Sequence, residues 1–166
     1  MLRPVHPVHH IDLVVTALDD SLAFYRGVLE PLGYVREVSV TGERGERVVY
    51  IGHVSHSGAV GLRERQSHAN PVPYDRYAVG VHHVAFAASS RAVVDEAAAW
   101  LRAHDAIIES PPREYDYIPG YYAVFFHDPD GITLEIVHTP RDPDLAGAVR
   151  ELGERLARLE ASPEGA

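Results

Sequence analysis

The chain has 166 residues, 15 basic and 24 acidic side chains, a formal charge of −9 and no cysteine. That length suits one compact domain, or two half-domains on a shared core. The missing cysteine excludes disulfides, zinc-thiolate sites and iron–sulfur ligation, so any metal must be held by His, carboxylate or solvent.

All 15 basic residues are arginine, which removes Schiff-base chemistry and a lysine base. Scattered through an acidic chain, they offer no concentrated basic face for nucleic acid. The first residues lack an apolar core of signal-peptide length, and no apolar run is long enough to span a bilayer. The expectation is a soluble, cytoplasmic protein that binds neither nucleic acid nor membrane.

Residues 8–16 alternate as a strand. Asp19 is positioned to cap a helix carrying Leu22, Phe24, Val28 and Leu29, which Pro31 and Gly33 stop. Strands follow at 34–41, 46–53 and 58–65, the first two joined by a turn at Thr41-Gly42-Glu43-Arg44-Gly45. Residues 8–65 thus form a βαβββ module, and 66–79, polar with Pro71 and Pro73, a linker.

Residues 80–138 repeat the order. A strand at 80–88 leads into a helix over 90–104 capped by Ser89 or Ser90, then a short strand at 106–109 and strands at 121–127 and 131–138. Asp128-Pro129-Asp130-Gly131 makes the last turn. Residues 110–120, with Pro111-Pro112 and Pro119-Gly120, read as a flap or an irregular strand edge. A last helix, 143–160, carries Leu145, Val149, Leu152, Leu156 and Leu159 as one stripe, suited to its own domain or to a homodimer contact.

The duplication extends to single residues. His10 opens the first strand as His83 opens the second-module strand, and the interval from His10 to Leu62 equals that from His83 to Glu135. Strand parity puts Ile11, Leu13 and Val15 on one face of the first strand and His10 with Asp12 and Val14 on the other. His83 opposes Val84 and Phe86 in the same way, and Glu135 opposes Leu134 and Ile136. Two imidazoles and a carboxylate on a cleft-forming face suit a divalent cation, since a carboxylate in an apolar strand is costly to bury unpaired. Hydrogen-bonded core histidines and a Glu135–arginine pair are the alternative. His9 and His82 have the opposite parity. His53, His56, His68, His104 and His138 read as surface or packing residues.

The runs His9-His10-Ile11-Asp12-Leu13-Val14-Val15, Ser21-Leu22-Ala23-Phe24-Tyr25-Arg26-Gly27-Val28-Leu29, His82-His83-Val84-Ala85-Phe86 and Phe126-His127-Asp128-Pro129-Asp130-Gly131-Ile132-Thr133-Leu134-Glu135-Ile136 resemble the vicinal oxygen chelate superfamily. That superfamily groups glyoxalases, extradiol dioxygenases, epimerases, fosfomycin-resistance transferases and bleomycin-resistance proteins. The resemblance implies an α+β fold of two tandem βαβββ modules forming an incomplete barrel-like mixed sheet. It also implies one divalent metal (Fe, Mn, Ni or Zn) on His10, His83 and Glu135, acting as a Lewis acid on vicinal oxygens of a small-molecule substrate.

Four-ligand members take their fourth ligand from the first-module position equivalent to Glu135, read by interval as Leu62, which speaks against a glyoxalase reaction. Glu64, two residues on, is the candidate acid/base group. Phe125 stands where extradiol dioxygenases have a tyrosine, and without lysine a phosphonate pocket would fall to arginines. The reaction type, whether dioxygenase, lyase/isomerase or transferase, stays open. Tyr115, Tyr117, Tyr121 and Tyr122 offer a wall for a planar or aromatic ligand, and His127 a group at the cleft rim. The alternative function is an antibiotic-sequestering protein of the bleomycin-resistance kind, without chemistry.

Overall fold

A computed structural model of the protein describes residues 8–67, 69, 74–140 and 154. The expected order of elements is present: β1 (His10–Val15), α1 (Leu18–Leu29), β2 (Tyr34–Thr41), β3 (Arg47–His53), β4 (Ala59–Glu64), β5 (Val84–Ala87), α2 (Arg91–Ala103), β6 (Ile108–Tyr115), β7 (Tyr121–His127) and β8 (Thr133–His138). They form two open four-stranded sheets, ordered β1-β4-β3-β2 and β5-β8-β7-β6. In each, the first strand pairs parallel with the last while the other neighbours are antiparallel. The fold is the expected α+β pair of βαβββ modules. The 143–160 stripe lies outside the described residues apart from Glu154.

One local reading is corrected and two open ones are resolved. Asp19 does not cap α1; the cap position is Ala17, which makes no side-chain bond, and Asp19 sits in the first turn and pairs with Arg47. Ser90 does cap α2, its hydroxyl accepting from the Val93 amide. The 110–120 stretch is largely strand, because β6 runs through Pro111 and Pro112 to Tyr115. Its place at the edge explains this. An edge strand has one side with no ladder to donate to, and the pairing with β7 slips on both sides of Ser110.

Cross-strand pairing sorts the first sheet into rows. On the helix side lie Leu13, Leu62 and Val49, all buried. On the other face lie the rows His10-Ala59-Gly52-Arg36, Asp12-Gly61-Tyr50-Val38 and Val14-Arg63-Val48-Val40. The second sheet matches, with Val84-Leu134-Phe126 towards the helices and Ala85-Glu135-Phe125-Ser110 away from them.

The helix-side faces share one apolar core across both modules. Phe24 of α1 meets Trp100 of α2 at 5.8 Å between ring centroids and Phe126 of β7 at 6.2 Å. Gly27 makes the helix approach possible, since a Cβ there would lie 2.0 Å from the Trp100 ring. Two polar contacts lock the seam: the buried Tyr25 hydroxyl donates to Asp128 Oδ2 at 2.9 Å, and the Thr16 amide donates to Asp130 Oδ2 at 2.9 Å. The Asp-Pro-Asp-Gly turn therefore closes a hairpin and also receives the first module.

Candidate metal centre and substrate cleft

The second sheet carries a cleft of about 380 Å³ whose lining includes His83, Glu135, Arg113, Tyr115, Tyr121 and Phe125. Glu135 is only 1% exposed, in the middle of the apolar β8. Both of its oxygens are engaged. The Tyr121 hydroxyl donates to Oε1 at 2.6 Å, and Oε2 lies 3.2 Å from His83 Nε2. Burial, then the bond to Glu135 and its charge, push the Tyr121 hydroxyl well above the ordinary tyrosine range, so it stays a neutral donor. His83 Nδ1 is held 2.8 Å from His82 Nδ1, which leaves Nε2 as the nitrogen facing the carboxylate.

This pair fits a divalent ion. Neighbouring donors around an ion bonded at about 2.1 Å stand about 3–3.5 Å apart, and the second nitrogen of a ligating imidazole needs a hydrogen-bond partner of its own. His83 and Glu135 meet both requirements, with His82 as the partner.

His10 lies elsewhere. It lines a separate cleft of about 390 Å³ on the first sheet, together with His9, Arg36, Val38, Tyr50 and His53, and the two clefts share no lining residue. Among the described residues no three His, Asp or Glu side chains gather into a metal-holding group within the chain. The first cleft nevertheless copies the second. His10 Nδ1 is 2.9 Å from His9 Nδ1, and His10 packs edge-on against Tyr50 as His83 does against Phe125. His9 and His82, off-parity for ligation, thus orient their neighbours.

The register also corrects the reading of Leu62. β1 pairs His10 with Ala59 and Asp12 with Gly61, while β5 pairs Ala85 with Glu135. Gly61, not Leu62, corresponds to Glu135, and Leu62 is wholly buried beneath the helices. Glu64 shares Leu62's parity at the end of β4 and lines neither cleft.

The tyrosines divide. Tyr115 and Tyr117 stack with centroids 5.4 Å apart, Tyr121 stands edge-on to both, and Arg113 lies 4.4 Å over the Tyr115 ring. Tyr122 points to the helix side, where its hydroxyl donates to Asp95 of α2 at 2.8 Å. Consecutive strand residues cannot both face one cleft. His127 lies beside the cleft, 3.3 Å from Glu109, which is itself gripped by Arg76 through two bonds. Sequence reasoning missed Arg76, Arg113 and Phe125 as cleft-lining residues. Phe125 and Arg113 share strand parity with cleft residues, whereas Arg76, outside any strand, gave no signal.

The profile of the Glyoxalase/Bleomycin resistance protein/Dioxygenase superfamily matches residues 8–136, and the chain belongs to that superfamily. A Bacillus subtilis relative of uncharacterised function, YwkD, is 31% identical over 133 residues, which span 78% of this chain and 94% of the relative. A glyoxylase/bleomycin resistance protein/dioxygenase domain from Frankia sp. EAN1pec superposes with a TM-score of 0.67 at 24% identity, covering 81% of this chain and 98% of that one. The fosfomycin resistance protein FosX from Listeria monocytogenes, solved as a mutant with Mn(II) and a dihydroxypropylphosphonic acid, superposes at 0.56 and 20% identity over 83% and 96%. Superfamily members typically use a divalent metal and act on small molecules. No described helix is long and apolar enough to cross a membrane.

Proposed function

We propose that this protein is a metal-dependent enzyme that binds a small, planar or aromatic substrate with two adjacent oxygens in the second-module cleft. The observation that carries the reading is the His83–Glu135 pair at 3.2 Å, with a 1%-exposed carboxylate at the floor of a tyrosine-walled cleft. His83 and Glu135 would hold one divalent ion together with His10. When bound, the ion supplies Lewis acidity to vicinal oxygens.

Around that centre the protein positions and shields. Tyr121 fixes Glu135 Oε1 and so directs Oε2 to His83. Tyr115, Tyr117 and Phe125 offer ring faces and edges to a flat ligand. Arg113, over Tyr115 and in no carboxylate ion pair among the described residues, adds a positive charge suited to a substrate anion.

Because His10 occupies its own cleft, the ligand set closes when a second copy presents its first sheet to the second-module cleft. The working unit is then a homodimer. Val14, Val38 and Val40, on the His10 face of the first sheet, are 57%, 58% and 44% exposed, an apolar surface that such a contact would cover.

Elemental analysis of protein purified without added metal or chelator tests the reading. One divalent ion per chain is expected, lost in each of His10→Ala, His83→Ala and Glu135→Ala while far-UV circular dichroism is unchanged. Normal metal content in any two of them would overturn it. So would tight, chelator-indifferent binding of a cationic antibiotic to a metal-free protein, which is the behaviour of a sequestering protein.

A further inference from the structure

The geometry points to Asp12 as a fourth protein ligand of the same ion, a role that rests on the metal reading above. Gly61 occupies the first-module position that corresponds to Glu135, so the residue on the His10 face of β4 there has no side chain. Its neighbour across the ladder fills the space. A Cβ on Gly61 would lie 2.3 Å from Asp12 Oδ1 and 2.7 Å from the Tyr50 ring. The second module shows the inverse arrangement, with Ala85 on the first strand and Glu135 on the last. The carboxylate has changed strands while keeping its row on the sheet.

Its surroundings repeat the pattern at Glu135. Asp12 Oδ2 accepts from the Tyr50 hydroxyl at 3.2 Å and from Arg63 Nε at 2.7 Å, as Glu135 Oε1 accepts from Tyr121. Arg63 is anchored in turn by the buried Glu46 and by Glu43. The carboxylate is thereby fixed with Oδ1 turned to His10 Nε2, 3.9 Å away. Oδ1 is buried and has no hydrogen-bond donor, an arrangement that is costly for a carboxylate oxygen unless a cation or a donor meets it.

Each module thus presents one imidazole Nε2 and one carboxylate oxygen whose twin is tied to a tyrosine. Two such pairs, brought together, would make a His₂–carboxylate₂ set of four protein ligands for one divalent ion.

The test is the affinity of the intact protein for Mn(II), read by competition with a fluorescent chelator. Asp12→Asn, close to aspartate in shape, should weaken binding by about 10-fold to 100-fold or more, whereas Glu64→Gln, at the end of β4 and lining neither cleft, should leave it within about twofold. In wild-type protein labelled with carbon-13 at its aspartate carboxyls, Mn(II) should also shift one labelled carboxylate stretching band. That measurement needs no variant to fold. Unchanged affinity in a folded Asp12→Asn, or no shifted band, overturns the role of Asp12 and leaves the three-ligand reading standing. Absence of Mn(II) binding by the wild-type protein, with no divalent ion on purification, overturns both.

Discussion

Tyr25→Phe tests the seam between the modules without opening a cavity, since the ring stays and only the hydroxyl is lost. Tyr25 is 0% exposed and Asp128 4%. The lost contact is the 2.9 Å bond to Asp128 Oδ2, while Oδ1 keeps the Asp130 and Ile132 amides at 3.0 and 2.8 Å. Removing one donor from a buried carboxylate costs about 1.5–3 kcal/mol. For a chain of this size that is a fall of roughly 3–10 °C in Tm, compared at one protein concentration.

The effect should depend on pH in a defined direction. Burial holds the Asp128 carboxyl above its ordinary value of 3.8, against the lowering influence of the Tyr25 hydroxyl and the Ile132 amide. Without Tyr25 it rises further. A raised carboxyl favours the folded state at low pH and loses that contribution as pH climbs from the unfolded value through the folded one. The variant's deficit should therefore be full at pH 7 and shrink towards pH 4, as a protonated Asp128 no longer needs the donor. Urea unfolding at both pH values measures it. A deficit below about 0.5 kcal/mol at pH 7, well under the expected range, or an equal deficit at the two pH values, would show that the Tyr25–Asp128 bond does not hold the seam.

Gly27→Ala should destabilise by about 1–2 kcal/mol: the new Cβ would meet the Trp100 ring at 2.0 Å, and overpacking of that kind outweighs the roughly 1 kcal/mol that alanine gains in helix propensity. Equal or higher urea stability would contradict it. Above pH 10 the wild-type protein should lose stability steadily, because burial and the Asp128 charge hold Tyr25 well above the usual value of 10.0 and the unfolded chain ionises first; Tyr25→Phe should flatten that loss, as followed by denaturant midpoint against pH. Tyr121→Phe should weaken Mn(II) binding by about 10-fold or more through the freed Glu135 oxygen. Tyr122→Phe, whose hydroxyl faces α2, should leave Mn(II) affinity unchanged in the same titration.

Local periodicity made the two βαβββ modules legible, along with the helix-side core and the inward turn of Glu135, because each depends on alternation or spacing within a few residues. The equal intervals misplaced the Glu135 counterpart by one residue. Intervals count loop residues together with strand residues, and the path from β5 to its β8 partner is one residue longer than that from β1 to β4. Asp12 was on the correct face by parity, but its significance lies in the missing side chain of Gly61, a cross-strand relation that linear reading does not display. Tyr122 could have been set apart by alternation alone. Pro111 and Pro112 left the 110–120 stretch open between a flap and an irregular strand edge, although a proline argues against a strand only when both of its sides must donate or accept.

Separation of the two clefts had no signal in the sequence, since it depends on how the modules meet, and that meeting argues for assembly as the route to a complete site. Were the chain to fold its own first sheet onto its own second-module cleft, the helix seam would have to open. Phe24, Trp100 and Phe126 would lose their mutual packing, Tyr25 would leave Asp128, and the Thr16 amide would leave Asp130. Uncovering the wholly buried Phe126 alone costs about 1.5–3 kcal/mol, a sizeable share of the roughly 5–15 kcal/mol that holds a domain of this kind folded. In the proposed homodimer a second copy would reach the same juxtaposition with the seam intact, and would cover the exposed Val14, Val38 and Val40 in doing so. The residues that join the modules within one chain are thus the reason that His10 of one copy would serve His83 and Glu135 of another.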